Sequence, residues 1–565
     1  MIVNTADAMF ILRRDLREGF TPIAVDTETT YTPSLADRRI IGISVATDNA
    51  TYYIPVAHIE DPALVGVLAQ PNIKEVPNDL FDLDRAIVFH NAKFDLQMLR
   101  QLDIKIRIEK VYDTMLMHHY IDEYPPHSLE ELTKTRLGRE RKKHLSDAMK
   151  RLRDIAEGKQ EAIPAVGMAV YAESDARDTL DLFHDLWEDF MIYEKIWTEV
   201  DRPFMLVLLD TELKGLRVNL QEAQRQSSLA EDRMASIRTG LGFDPNKPSQ
   251  LARKLFEVPP IGLGLRPPPA GKSNRPRMNE AFLTSVGHPI TALVLEYRGL
   301  MKAKSSYFDS YLRLASRDDT ENPRIHPSFK QHGTLTGRLS CENPNLQQIP
   351  RDSEVKKLFL PDKGFELWEF DYKTIELRLA AVYAKDENLL RIFREEGDVH
   401  QMVADQLGID RHAAKTLNYA ITYGAGVGKV ALLLSCSPQK ARDILDNFYD
   451  AYPGIGRASS KATDMGEIKG YIQLWGGRHR HFRWPSEAYK AFNAALQGGA
   501  FEIVKRAGIL LHDAGYDLRN QVHDSWWVQL SPGQDRKPIH SLLSDWTEGL
   551  FGLRFTCDEK RLQVA

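Results

Sequence analysis

Cysteine is scarce: Cys341, Cys436 and Cys557 are the only three in 565 residues. They stand too far apart for a zinc ligand pattern and make no disulfide framework, which assigns the chain to a reducing compartment, the cytoplasm of a cell. Long hydrophobic runs are missing too, so no segment is expected to span a bilayer. The opening MIVNTADAMFILRRDLREGF lacks the apolar core and the cleavage site of a signal peptide. Nor is there a dominant charge. The formal net charge of −5 argues, as a sum, against a nucleic-acid partner. Internal repeats and low-complexity tracts are not evident.

What is present is an ordinary globular composition, 43% apolar and 27% charged, in a chain too long for one core. Roughly two to four domains are expected. The net charge hides an uneven distribution: residues 246–310 hold ten Lys and Arg against four Asp and Glu. Such a stretch suits either a phosphate backbone or a solvated helical face. Inside it, VPPIGLGLRPPPAGKSNRPR (258–277) reads as a mobile loop rich in Pro and Gly.

Carboxylates recur at telling places in the first third. IAVDTETT is an apolar strand ending in acids, with Asp26 and Glu28 on one face. AIVFHNAKFDLQML reads as a strand running into a helix, with Asn91 and Asp95 one turn apart. YAESDARDTLDLF is helical and sets Tyr171 one turn before Asp175. Four such carboxylates can hold two divalent cations about 4 Å apart, which activate a water and stabilise the leaving oxygen of a phosphodiester. Oxygen ligands favour Mg2+ or Mn2+ over zinc. Asp113, in VYDTMLMHHYI, looks instead like a helix N-cap.

In order and spacing these segments resemble the DEDD superfamily of 3′–5′ exonucleases, in the subtype with a tyrosine four residues before the last acid. The resemblance implies that Asp26, Glu28, Asp95 and Asp175 bind metal and that Tyr171 orients the attacking water. The basic stretch TKTRLGRERKKH (133–144) is either a guide for a single strand or a solvated helix face.

The second half carries another arrangement. FELWEFDYKTIELRLAAVYA predicts a strand ending at Asp371 and a helix from about Thr374. YDLRNQVHDSWWVQL predicts a hairpin whose turn presents His523 and Asp524. Two strand-end aspartates again suit a two-metal centre. RHAAKTLNYAITYG (411–424) predicts a helix capped by Asp410 and stopped by Gly424 and Gly426. Its Ala414, Leu417 and Ile421 face a core, while Arg411, Lys415, Tyr419 and Tyr423 share a stripe. The two cations can grip a triphosphate, and the two rings offer flat surfaces for a base and sugar.

With LEYRGLMKAKSSY, TGRLSCENPNLQQIP, DYKTIELRL, FYDAYPGI, NAALQGGAFEIVKRA and VHD also in order, the chain resembles family A DNA polymerases over nearly its whole length. The resemblance implies an α/β multidomain fold, an RNase H-like exonuclease domain (1–192) followed by a right-hand polymerase domain (193–565). The thumb would cover about 200–310, the palm about 311–385 and 495–565, and the fingers about 386–494. It implies Asp371 and Asp524 as metal ligands with Tyr372 beside them, two Mg2+ per active site, and Mn2+ as a substitute. It adds His400 and Arg351 to the triphosphate grip, and Glu376 with Tyr423 to the 2′ side of the sugar. Arg338, Asn493, Gln497 and His523 would watch the minor groove and primer end, where a few donors can test base-pair fit. Expected partners are primer–template DNA, dNTPs and a single-stranded 3′ end in the nuclease site, bound by a monomer with no membrane attachment.

The sequence departs from the family in places. Ser525 stands where a glutamate usually follows the last aspartate, and Thr374 where glutamine is common. No 5′-nuclease domain is expected before Asp26, and no thumb insertion that recruits a processivity partner, which favours a phage source. Two other readings compete: a nuclease whose C-terminal half has decayed to a DNA-binding module, and a single-subunit RNA polymerase. The stripe on 411–424 argues against the first; Glu376 and the attached nuclease argue against the second.

Overall fold

The computed structural model describes residues 1–32, 37–59, 72–139, 147, 149–152, 154, 156, 158–269, 276–316, 321–350, 354–422 and 424–562. Contacts divide the chain into two compact units. The first comprises Met1–Lys214, Phe329–Cys341 and Gly364–Arg561, and the second is built mainly of Gly215–Ser328 and Glu342–Lys363.

The first unit opens with α1 (Ala6–Glu18) and a sheet of β1 (Ile23–Thr29), β2 (Ile40–Ala46), β3 (Thr51–Pro55), β4 (Ile87–Phe89) and β5 (Val111–Asp113). Their spatial order is β3-β2-β1-β4-β5, antiparallel from β3 to β1 and parallel from β1 to β5, as an RNase H-like domain requires. Every residue of IIGISVA in β2 is buried, and β1 is buried except at Asp26, the pattern of strands covered on both faces. The crossover from β4 to β5 runs through α2 (Ala92–Leu99), and α3 (Thr114–Ile121) follows β5. The long α4 (Ala165–Phe190) lies across β1, β2 and β3.

Further along the same unit, besides the short pair β12 (Tyr471–Gln473) and β13 (His479–His481), lies a four-stranded antiparallel sheet whose first and last strands in the chain are Glu366–Tyr372 and Cys557–Arg561. Before it in the chain come β6 (Leu216–Val218), β7 (Arg324–Ile325), β8 (Ser328–Lys330), β9 (Ser340–Glu342) and β10 (Phe359–Leu360). The sheet itself uses β11 (Glu366–Tyr372), β14 (Asp517–Val522), β15 (Ser525–Leu530) and β16 (Cys557–Arg561), in the spatial order β14-β15-β11-β16. Of the helices that follow α4, α5 (Arg202–Lys214) belongs to this unit, although the sequence reading put the thumb from about 200. The fully buried Trp526 fixes the covered face of the sheet, meeting Phe204 of α5 edge to face at 6.1 Å and donating to the Val504 carbonyl at 3.0 Å.

A buried charge cluster ties the first sheet's surroundings to this second sheet. Asp201 accepts from Tyr120 of α3, from Arg478 and from Lys505, and Arg478 also lies 3.9 Å over the Tyr120 ring. Burial alone pushes the Asp201 carboxyl up, but Lys505 and Arg478 hold it well below the usual carboxylate range. Breaking such a dry set costs about 3–5 kcal/mol, because a buried charge loses its partner.

The second unit is mainly helical, with α6 (Leu220–Leu241), α7 (Pro248–Phe256) and α8 (Pro289–Ala303) around Leu251, Leu255, Leu283 and Val294. A small sheet of order β10-β6-β7 completes it. Of the basic residues expected on 246–310, Arg253 pairs with Glu257, Arg298 donates to the Met278 carbonyl, and Lys304 pairs with Asp309. Lys247 and Lys302 remain exposed. Lys272, Arg275 and the centre of the 258–277 loop lie outside the described residues.

Candidate nuclease and polymerase active sites

Around β1 the chain assembles four acids from three elements. Asp26 is half-buried and Glu28 buried, side by side on one strand face. Asp95, in the first turn of α2, accepts from the Thr27 backbone N–H at 3.0 Å and from its hydroxyl at 2.7 Å. Burial pushes its carboxyl up to about 8, against the pull of the two Thr27 donors. Asp175 is buried on α4, one turn beyond the half-buried Tyr171. Asn91 differs from its expected place: it precedes α2 as an N-cap at φ 77°, so it is not helical. Asp113 is the N-cap of α3, accepting from Met115 and Leu116, and it also accepts from the Asn91 and Ala92 N–H groups. One carboxylate thus caps two helix starts.

The sequence did not single out Tyr53 and His58. His58 Nδ1 lies 2.7 Å from the Ile163 carbonyl and so carries the proton, leaving Nε2 to accept from the Tyr53 hydroxyl at 2.8 Å. Burial, with the charges of Glu28 and Asp26 behind it, pushes that hydroxyl well above the ordinary tyrosine range. Tyr53 therefore faces the acid pair. A Cβ at Gly42 would stand 2.0 Å from its oxygen, which is why glycine occupies that point of β2. On the basic stretch, Arg136 pairs with Asp185 and Asp189 and Arg139 with Asp181, all on α4; residues 140–144 lie outside the described residues. The described part behaves as a paired helix face.

In the second sheet the strand-end aspartates meet. Register pairs Asp371 with Ser525, and the Tyr372 N–H donates to the Asp524 carbonyl at 3.3 Å. The expected hairpin is present as β14 and β15, with the exposed His523 in its turn at φ 52°. Tyr372 turns its own side chain away, donating to the Leu543 carbonyl at 2.7 Å. Thr374 precedes α9 (Ile375–Ala384), where Glu376 is buried and bonded to Arg338. The same Arg338 nitrogen is 3.8 Å from Asp524 Oδ1. On β11, Glu369 accepts from Trp527 and shares the Ser525 hydroxyl proton with the Val522 carbonyl, a contact that no local sequence signal announces.

Then come α10 (Val399–Leu407) and α11 (Arg411–Thr422), and α11 packs on both α10 and α9. Asp410 caps α11 through bonds from the His412 and Ala413 N–H groups, and Ala414, Leu417 and Ile421 are buried, as the periodicity requires. Lys415 is exposed and Tyr419 half-buried; Tyr423 and Arg351 lie outside the described residues. Arg411 donates through Nε to Asp398 Oδ2 at 2.7 Å. His400 is buried, its Nδ1 receives the Asn418 amide at 2.9 Å, and burial keeps the ring below the usual histidine range. Its Nε2 therefore carries the proton. Asn493 and Gln497 are the half-exposed positions in the first ten residues of α12 (Ala491–Asp513), one turn apart.

Among the described residues, no three His, Cys, Asp or Glu side chains stand close enough to hold a metal ion as placed. Asp95 is tied to Thr27. The donor chemistry still fits hard divalent cations: every candidate ligand offers oxygen.

The family model described as DNA polymerase family A matches residues 213–542. The chain belongs to that family. A second model, described as a 3′–5′ exonuclease, matches residues 2–190, so an exonuclease domain precedes the family A domain. DNA polymerase I of Pseudomonas aeruginosa is 29% identical over 558 residues, covering 89% of this chain and 58% of its own length. Thermostable DNA polymerase I of Thermus filiformis is 32% identical over 393 residues, 63% of this chain and 46% of the relative. The DNA polymerase DpoZ of Salmonella phage PMBT28 is 26% identical over 551 residues, 86% of each. This chain thus spans under two thirds of the length of the bacterial relatives. A solved structure, the POL domain of Pol1 from M. smegmatis in complex with DNA primer-template and dNTP, superposes with a TM-score of 0.78. It is 22% identical and covers 98% of this chain and 97% of its own, so the two share a fold. Among the described residues, no helix is long and apolar enough to cross a membrane.

Proposed function

We propose that this chain is a template-directed DNA polymerase that adds dNTPs to a primer 3′ end and proofreads with a separate 3′–5′ exonuclease site. The observation that carries the reading is the meeting of Asp371 and Asp524 at adjacent strand ends, beside a helix bearing Arg411 and Lys415. Asp371 and Asp524, with Tyr372 beside them, would hold two Mg2+ ions; Asp26, Glu28, Asp95 and Asp175 would hold a second pair. When bound, the ions would lower the pKa of the attacking hydroxyl or water and offset charge on the leaving oxygen.

The chain's own groups do the rest. Lys415 is open to an incoming triphosphate, and Arg411 joins it by exchanging Asp398 for phosphate oxygens. His400 donates from Nε2. Tyr419 and Tyr423 pack on base and sugar, while Glu376, held by Arg338, closes the sugar's 2′ side. His523, Asn493 and Gln497 contact the primer end and minor groove, and Arg351 adds a cation to the phosphates. In the nuclease site Asp95, held in place by Thr27, would be one of the ligands of the cations. Tyr171 orients the attacking water. We assign the enzyme to DNA replication, acting as a cytoplasmic monomer on primer–template DNA.

One experiment separates the two centres. On a single labelled primer–template, Asp26→Ala is expected to abolish 3′–5′ degradation and spare extension, and Asp524→Ala to do the reverse. Loss of extension in a folded Asp26→Ala protein would refute the two-site reading.

A further inference from the structure

Glu369 precedes Asp371 by two residues on β11, so the two side chains share one face of the sheet. Across the ladder, Asp371 is opposite Ser525 and Glu369 opposite Trp527. Trp527 Nε1 donates to Glu369 Oε1 at 3.1 Å, directly across. Ser525 Oγ shares its one proton between the Val522 carbonyl at 2.9 Å and the same Glu369 oxygen at 3.3 Å, the latter along the diagonal. The diagonal bond means that the glutamate leans along its strand toward Asp371. Ser525 is 2% exposed and Trp527 fully buried, so both donors are dry, while Glu369 itself is half-buried.

The residue that holds Glu369 also directly follows Asp524. The patch therefore contains Asp371, Asp524 and a third carboxylate, linked through Ser525. Two divalent ions bring twice the charge that two aspartates can offset, and a third acid on the same face reduces that deficit. Lys560 of β16 stands opposite Glu369 in the register, and a plain cross-strand ion pair is the competing explanation.

We propose that Glu369 supplies the third carboxylate of the polymerase metal centre, placed on β11 because the residue after Asp524 is a serine. The inference rests on the reading of Asp371 and Asp524 as that centre's principal ligands. It assigns to Ser525 a role as well: its hydroxyl positions the carboxylate that it does not itself carry.

The test uses the full chain with Asp26→Ala and Glu28→Ala to clear the nuclease site, bound to a primer ending in a dideoxynucleotide and the matching dNTP. Mn2+ binding is followed by the electron paramagnetic resonance of the free ion. Glu369→Gln is expected to weaken polymerase-site Mn2+ binding about tenfold or more. The Mg2+ concentration for half-maximal extension should rise by a similar factor in the same background with an extendable primer. The exchanged pair, Glu369→Ser with Ser525→Glu, returns a carboxylate to the patch without the Trp527 bond, and most of the affinity should return. Unchanged Mn2+ affinity in Glu369→Gln, even with a lowered melting temperature, would overturn the proposal in favour of the Lys560 pair. A loss that the exchange does not repair would overturn it in favour of a packing role. Asp524→Asn serves as the separate control, since Mn2+ binding that survives it would refute the underlying assignment of the centre, whatever Glu369 does.

Discussion

Arg338 Nη2 is shared between Glu376, to which it donates, and Asp524, whose Oδ1 lies 3.8 Å away. The arginine therefore couples the residue read as the sugar filter to a residue read as a metal ligand. Glu376 is buried and rigid on α9, so it can exclude a 2′-hydroxyl by occupying its space and denying it a partner. Glu376→Ala should raise ribonucleotide over deoxyribonucleotide incorporation efficiency. Arg338→Ala should move the ratio in the same direction by less, and lower stability by about 1–3 kcal/mol by removing a partner of a buried acid. The kcat/KM ratio for matched rNTP and dNTP is the measurement, and an unchanged ratio in Glu376→Ala removes that residue from the role.

Tyr419 stands half-buried on α11, its ring 5.9 Å from that of His400. A tyrosine hydroxyl at the sugar can fill the polar gap that a substrate lacking its 3′-hydroxyl leaves beside a phenylalanine. The native chain should be strongly inhibited by dideoxynucleotides, and Tyr419→Phe should resist them by a factor of about a hundred or more, ~3 kcal/mol. Both proteins are compared in the Asp26→Ala background by dNTP to ddNTP efficiency. Equal ratios would reduce Tyr419 to a core residue.

The ion pair between His512 of α12 and Asp210 of α5, 2.7 Å long, gives a pH signature of stability. Its bond to Asp210 raises His512 above 6.5, so its contribution is complete below that value and fades as pH rises through the folded pKa. Burial pushes Asp210 up, yet His512 and Arg100 bring it down to about 2, so its contribution persists above 3.8 and fades as pH falls toward 2. His512→Asn should therefore cost most between about pH 4 and 6.5, roughly 0.5–1 kcal/mol for a half-buried pair, and less at pH 9. Urea unfolding of both proteins at pH 5.5 and 9 reads the difference; a larger cost at pH 9 would contradict the assignment.

What the sequence made legible was local. The Asp410 cap, the buried stripe of α11 and the turn at His523 and Asp524 each depend on residues within a few positions, where spacing states geometry. Asp113 was half legible: its cap on α3 follows from neighbours, but its bonds to Asn91 and Ala92 depend on β5 lying beside β4. Glu369 was not legible at all. Its partner Ser525 is 156 residues away, and only the β11–β15 register brings them together. Arg338 was read toward the minor groove, whereas its ion pair with Glu376 belongs to tertiary packing that no periodicity encodes. The pairing of Arg411 with Asp398 was missed likewise, because the two lie on different helices.

The Asp201 cluster has a consequence for how this chain can change over time. Tyr120 comes from the segment matched by the exonuclease model, and Arg478 and Lys505 from that matched by the family A model. The seam between the two matched segments thus lies inside one compact unit. A lineage could replace the half-buried Asp26 and keep the fold, but it could not discard the segment around it without wetting Asp201, Arg478 and Lys505. The scaffold of the first segment is needed by this architecture whether or not its acids are used.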